Sequence, residues 1–307
     1  GVFDEKRLFA PGDLPGPVSF RGARLGVMIC EDMWEPDVSE CLQESGADIL
    51  VVLNGSPFEA NKGDDRLNHA VARVVETGLA LIYVNLVGGQ DELVFDGASF
   101  VLNADRRLGA QAAAWETGIL PPSWRRGDAW TCDAGAVAEA EGEMESIWGA
   151  MTTGLRDYVD KNGFPGVLIG LSGGIDSALS AAVAVDALGA DRVRCVMMPS
   201  PYTSKDSIED AGEVARLLGV DLRTIAIDPA MDTFGAMLDG AFAESEADVT
   251  EENIQARLRG VILMALSNKF GDMVLSTGNK SEMSVGYATL YGDMCGGFSV
   301  PKDVYKT

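Results

Sequence analysis

The sequence predicts an α/β protein of two successive units, the second a doubly wound parallel sheet built round a glycine loop. Three observations carry that prediction. Apolar runs alternate with helical patterns through both halves; the texture turns Pro-rich and acidic between residues 118 and 145; and a glycine loop parts a strand from a helix near residue 172. Repeated βα units build parallel sheets. The 307 residues exceed one typical domain, so two cores are expected.

Taken in order, residues 24–30 read as a strand, 37–45 as a helix opened by Pro36, 47–54 as a strand, 65–77 as a helix and 80–86 as a strand. Residues 99–102 with the Asn103-Ala104-Asp105 turn predict a hairpin. Pro121-Pro122, Gly127 and the acidic, Ala-rich 139–145 read as a linker from about 118, with the boundary near 140. The second unit, 141–307, then runs helix 144–160, strand 167–170, loop, helix 178–188 closed by Gly189, strand 193–198, helix 207–218 stopped by Gly219, and strand 222–227. Residues 244–248 are acidic and turn-like, and strand 273–275 precedes Thr277. Thr250 is placed to cap a helix whose Asn253 and Arg257, four apart, share a face and address one ligand.

Composition narrows the chemistry. Lys and Arg total 24 against 47 Asp and Glu, a net charge of −23 with no basic cluster, which argues against nucleic acid or an anionic membrane as partner. The longest apolar stretches fall short of the roughly 18 residues of a membrane helix, and no charged-then-apolar leader opens the chain. The chain reads as cytoplasmic. Five cysteines without CxxC spacing indicate neither a disulfide framework nor zinc. The single histidine, His69, lies in a helical pattern and reads as structural, as do Cys41, Cys132, Cys195 and Cys295.

The loop Gly170-Leu171-Ser172-Gly173-Gly174-Ile175-Asp176-Ser177 is the sharpest motif. Glycines let backbone N–H groups approach an anion, Ser172 and Ser177 add hydroxyls, and the following helix supplies partial positive charge. A Walker loop would carry Lys where Asp176 stands. An acid beside phosphates implies Mg²⁺. This segment resembles the pyrophosphatase loop of the N-type ATP pyrophosphatases, which split ATP between the α and β phosphates and have an adenine nucleotide alpha hydrolase-like sheet.

In the first half a strand delivers Cys30 to Glu31-Asp32-Met33-Trp34, followed by Asn54-Gly55-Ser56-Pro57-Phe58, Lys62 and Arg66. This resembles the glutamine amidase domain of the nitrilase superfamily, which implies a partial αββα sandwich over 1–140. By that resemblance Cys30 is the nucleophile that forms a thioester, and Ser56 and Lys62 contact glutamine. The family's catalytic Glu and Lys precede the segment that here is Gly1-Val2-Phe3-Asp4-Glu5, so the chain as given is expected not to hydrolyse glutamine.

Further on, Met198-Pro199-Ser200-Pro201-Tyr202-Thr203-Ser204, then Thr250-Glu251-Glu252-Asn253-Ile254-Gln255-Ala256-Arg257-Leu258-Arg259, then Leu275-Ser276-Thr277-Gly278-Asn279-Lys280-Ser281-Glu282, then Tyr291-Gly292-Asp293 and Lys302-Asp303-Val304-Tyr305-Lys306-Thr307 resemble, in order, the glutamine-dependent NAD synthetase family. The resemblance implies a ligase that amidates deamido-NAD to NAD through an adenylate, with AMP and pyrophosphate as products. Ammonia would come from L-glutamine through a shielded channel, in a homo-oligomer. It places Asn253 and Arg257 on deamido-NAD, Thr277 with the loop on ATP, and Asp176 on the metal. Glu282, counted with deamido-NAD, stays open between that ligand and the metal. The alternatives are another glutamine-dependent ATP pyrophosphatase amidotransferase, or a non-catalytic remnant that binds nucleotide.

Overall fold

The computed structural model describes residues 7–10, 12–60, 62–243, 245–246 and 248–306; Gly1 to Glu5, Glu244 of the acidic excursion and Thr307 lie outside the described residues. In chain order the first elements are β1 (Val18–Phe20), β2 (Ala23–Ile29), α1 (Pro36–Glu44), β3 (Ile49–Asn54), α2 (Lys62–Thr77), β4 (Ala80–Asn85), β5 (Val87–Gln90), β6 (Leu93–Asp96), β7 (Phe100–Leu102), β8 (Leu108–Gln111), β9 (Trp124–Arg126) and β10 (Trp130–Cys132). After them come α3 (Glu143–Lys161), β11 (Val167–Gly170), α4 (Ile175–Leu188), β12 (Val193–Met197), α5 (Lys205–Leu218), β13 (Asp221–Thr224), α6 (Asp228–Phe242), α7 (Val249–Phe270), β14 (Met273–Ser276), α8 (Lys280–Val285) and β15 (Phe298–Ser299). One compact unit runs to Gly88 and resumes over Leu93–Ala150; the other holds Gly89–Glu92 and continues from Met151.

In the first unit the sheet order is β1-β2-β3-β4-β7-β8, with β2, β3 and β4 parallel and the flanking pairs antiparallel. Strand residues alternate between faces. Met28, Leu50, Val52, Leu81 and Tyr83 pack with Leu42 of α1 and with Ala70 and Val74 of α2. The opposite face leaves Ile29, Leu53 and Val84, neighbours in register, 64%, 45% and 41% exposed. This arrangement is one helix layer and one sheet of an αββα sandwich. The parallel register of β2, β3 and β4 brings Cys30, the Asn54–Ser56 turn and Asn85 to one edge.

The second unit is a parallel sheet of order β13-β12-β11-β14-β15. The chain goes outward from β11 through β12 to β13, then returns to the other side of β11 as β14. The end of β11 is therefore the topological switch point, where ligands bind in such sheets. Leu168, Val196 and Val274 face Ile262, Leu263 and Leu266 of α7. By alternation Ile169 and Cys195 turn the other way, where α4 buries Ala181, Val183 and Ala184.

Three local readings change. The α7 cap is Asp248: its carboxylate accepts the Thr250 N–H at 2.8 Å while Glu251 takes the Asp248 N–H, so Thr250 lies inside the first turn. Helix α4 begins at Ile175, because extended Gly174 already occupies the N-cap. Strand β13 stops at Thr224, because Ile227 adopts helical angles just ahead of Pro229 and starts α6. Helix α6 buries no residue fully, yet Met231, Phe234 and Leu238 recur at helical spacing and Met231 packs against the core, so its sequence does carry a helical signal.

Candidate functional site

Strand β2 ends in a forced turn. Cys30 takes φ +48°, a left-handed angle that a non-glycine residue adopts only when its surroundings impose it. The surroundings include a short 3₁₀ turn over Cys30–Met33 and the Asp32 carboxylate, which accepts the Ile29 N–H at 2.9 Å. Beside it, Ser56 is fixed from several sides. Its N–H donates to Asn85 Oδ1 (2.9 Å), its hydroxyl accepts from Arg66 Nε (3.0 Å) and its carbonyl from Arg66 Nη2 (2.9 Å). Arg66 in turn donates to Asp96 at 2.7 Å, a pair largely withdrawn from water. Burial raises the Tyr83 hydroxyl; Arg66 and a hydrogen bond with Ser56 pull it back, while a Cys30 thiolate and Asp96 push it up again. That coupling places Tyr83 in the same neighbourhood as Cys30 and Ser56.

Lys62 opens α2 and pairs with Glu59 at 2.7 Å. Arg66 and Tyr83 are the residues that sequence reasoning left without a role here. The first is one helical turn beyond Lys62 on α2, and its burial gives no sign in a polar sequence. Among the other thiols, burial drives Cys195 up to about 12 and also raises Cys132, which keeps both protonated and inert at neutral pH.

In the second unit the loop after β11 folds on its own hydroxyls. Ser172 N–H donates to Ser177 Oγ (3.2 Å), Gly174 N–H to Ser172 Oγ (3.2 Å), and Ser177 Oγ to the Gly174 carbonyl (2.9 Å). Gly173 has φ +83°, and a Cβ there would run into the Ser207 carbonyl; only glycine fits. No side chain caps α4, so its first N–H groups and dipole are open to an anion.

A cavity of about 200 Å³ gathers Ser172, Gly174, Asp176 and Ser177 with Thr277 and Glu282. Contiguous with it through Ser172 and Thr277 is a space of about 1110 Å³ that also takes in Gly170, Leu171 and Asn253. Asn253 Oδ1 accepts the Thr289 hydroxyl at 3.0 Å, and Arg257 Nε donates to the Leu290 carbonyl at 3.3 Å. The two do share a face of α7, but Arg257 is exposed and is not part of either cavity wall.

Lys306 reaches Asp176 Oδ2 at 2.9 Å and stands 4.0 Å from Glu282 Oε1. The Asp176 hydrogen bond and charge, and then Glu282, raise its pKa. Two hard oxygen donors thus converge on one cation, although no cluster of three or more ligand side chains occurs among the described residues. Mg²⁺ is held by one or two carboxylates plus waters and phosphate oxygens, so Asp176 and Glu282 fit it beside a nucleotide. Lys306 was quoted within its motif but given no role, since its proximity to Asp176 is a long-range contact.

Comparison with known proteins agrees with both halves. Residues 147–307 match the NAD synthase family and residues 1–128 the carbon-nitrogen hydrolase family. A glutamine-dependent NAD(+) synthetase of Rhodobacter capsulatus is 52% identical over 307 residues, covering 100% of this chain and 56% of that protein. The solved structure of glutamine-dependent NAD+ synthetase from Acinetobacter baumannii in complex with adenosine diphosphate superposes with TM-score 0.95 at 48% identity, over 100% of this chain and 58% of that one. A synthetase from Cytophaga hutchinsonii shares the fold, with TM-score 0.78 at 22% identity over 94% of this chain and 54% of its own. The chain spans a little over half the length of the curated relatives it matches. No helix among the described residues is long and apolar enough to cross a membrane. With a glycine loop at the switch point of its second sheet and a strained Cys30 at the edge of its first, the chain belongs to the NAD synthase family and carries a carbon-nitrogen hydrolase segment ahead of its synthase segment.

Proposed function

We propose that this chain serves the ATP-dependent amidation of deamido-NAD to NAD with ammonia released from glutamine. The observation that carries the reading is the convergence, in one cavity, of an uncapped α4 N-terminus, Thr277 and the Asp176–Glu282 pair. The nicotinate carboxylate of deamido-NAD attacks the α-phosphorus of ATP; the bond to the bridging oxygen breaks and pyrophosphate leaves. Loop N–H groups and the Ser172 and Ser177 hydroxyls receive that leaving anion where its charge grows. Ammonia then attacks the acyl carbon of the adenylate and AMP departs.

Asp176 and Glu282 would hold Mg²⁺, which neutralises phosphate charge when bound. Asn253, in the wall of the larger cavity, orients the dinucleotide, whereas Arg257, which lines neither cavity, is assigned to it by the family resemblance alone. Cys30 forms the thioester with glutamine, its thiol presented by the strained turn at the strand edge, while Ser56 and Lys62 contact the amino acid. Scattered cysteines without CxxC spacing support a reducing, cytoplasmic setting, and a homo-oligomer follows from the family resemblance alone.

The full-length protein, supplied with deamido-NAD, ATP and Mg²⁺, is expected to form NAD and AMP from glutamine or ammonium. Cys30→Ala should lose glutamine use alone. Asp176→Ala should lower both rates about a hundredfold or more, because several kcal/mol of charge stabilisation goes with the metal. Formation of AMP without NAD from either nitrogen source would send the assignment to another acceptor carboxylate.

A further inference from the structure

The larger cavity holds one positive charge that the amidation scheme above does not use. Arg259 is the sole basic side chain among the described residues lining it. Its Nε donates to the Met198 carbonyl at 3.1 Å, and no ion pair among the described residues includes it. Burial lowers its pKa, with no neighbouring carboxylate acting in the opposite sense.

The three acids in the same wall are engaged elsewhere. Glu251 accepts the Asp248 N–H, Glu252 the Tyr287 hydroxyl and Asp293 the Thr289 N–H. A half-buried guanidinium without a counter-ion is costly, and such a group in a cleft marks a place where a ligand brings the missing charge. In a chain with 47 acids against 24 bases, it is also a local attractor for anions.

Its position names the anion. Met198, whose carbonyl anchors it, directly follows β12, the neighbour of β11, and the Met198 methyl would lie 3.3 Å from a Cβ on Gly170. Arg259 is therefore tethered at the root of the phosphate loop, whereas Arg257, two residues earlier on α7, is tied to Leu290. With Nε anchored, the two terminal nitrogens remain as donors of a rigid fork suited to a pair of phosphate oxygens. We propose that Arg259 is a phosphate-binding residue for the nucleoside triphosphate, an inference that rests on the amidation reading and adds to it a binding group outside the loop.

The test uses full-length wild-type, Arg259→Met and Arg259→Lys proteins. Each is titrated separately with ATP–Mg²⁺ and with deamido-NAD, and melted without ligand. Arg259→Met is expected to weaken ATP at least about tenfold and Arg259→Lys by a smaller factor, since Lys keeps the charge and loses the fork. Affinity for deamido-NAD and the unliganded melting temperature should stay near wild type. Unchanged ATP affinity in folded Arg259→Met overturns the inference and leaves the amidation reading standing. Loss confined to deamido-NAD overturns it as well, and so does equal weakening of both ligands with a lower melting temperature, the mark of a residue that only ties α7 to β12. A wild-type protein that binds no ATP overturns both readings together.

Discussion

Arg66 shows how one side chain can organise a candidate site without touching a substrate. It joins the Ser56 hydroxyl and carbonyl, the Pro57 carbonyl and the Asp96 carboxylate, all near the edge where Cys30 turns out of β2. Replacing it leaves Asp96 as a buried charge and the turn carbonyls unsatisfied. Arg66→Met is therefore expected to cost about 3–5 kcal/mol, read as a lower urea midpoint of the first unit at unchanged slope. A midpoint within experimental scatter of wild type would mean that the Asn85 amide, 3.5 Å from Asp96, suffices to hold the carboxylate. Cys30 illustrates the limit of reading single residues. Its place at a strand end follows from the apolar run before it, but the +48° backbone angle depends on the turn and its Asp32 tether.

At the scale of elements, helix termini set the geometry of the candidate nucleotide site. Helix α4 is left uncapped where the loop meets it, while α5 beside it is closed by Ser204, whose hydroxyl accepts the Ser207 N–H at 3.0 Å. Ser207 also supplies the carbonyl that lies against Gly173, so the α5 start helps to shape the loop. Ser204→Ala should cost about 1 kcal/mol and Ser204→Gly only a few tenths; thermal melts of the two variants give the ordering, and no loss in Ser204→Ala would show that the cap contributes nothing. Helices α4, α5 and α7 end at Gly189, Gly219 and Gly271, all with positive φ, and the first two of these stops were legible as glycines following an apolar pattern. The α7 start was not: Thr250 and Asp248 are both good capping types, and the choice between them fell to the Glu251 return bond that completes the box on Asp248.

For the whole molecule, the net charge of −23 predicts that the chain neither retards duplex DNA nor sediments with phosphatidylserine vesicles at about 0.15 M salt, where exposed charges act over roughly 8 Å. Appreciable binding to either would require a local basic surface that the sequence does not show. Sequence alone determined the α/β class, most strands of both sheets, the glycine loop between β11 and α4 and the thiol at a strand end, because those depend on short-range patterns: period-two burial, glycine at positive φ, apolar runs of strand length. It missed α6, although Met231, Phe234 and Leu238 recur there at helical spacing, and the short pairs β5–β6 and β9–β10, whose partners stabilise them more than their own residues do. Only the tertiary structure decided that Asp176 and Glu282 share one cavity and that Lys306 reaches Asp176, that Arg257 lines neither cavity, and that no ion pair among the described residues includes Arg259. Those facts join residues far apart in the chain, and pairing, desolvation and cavity shape arise only when the sheet brings its strand ends together.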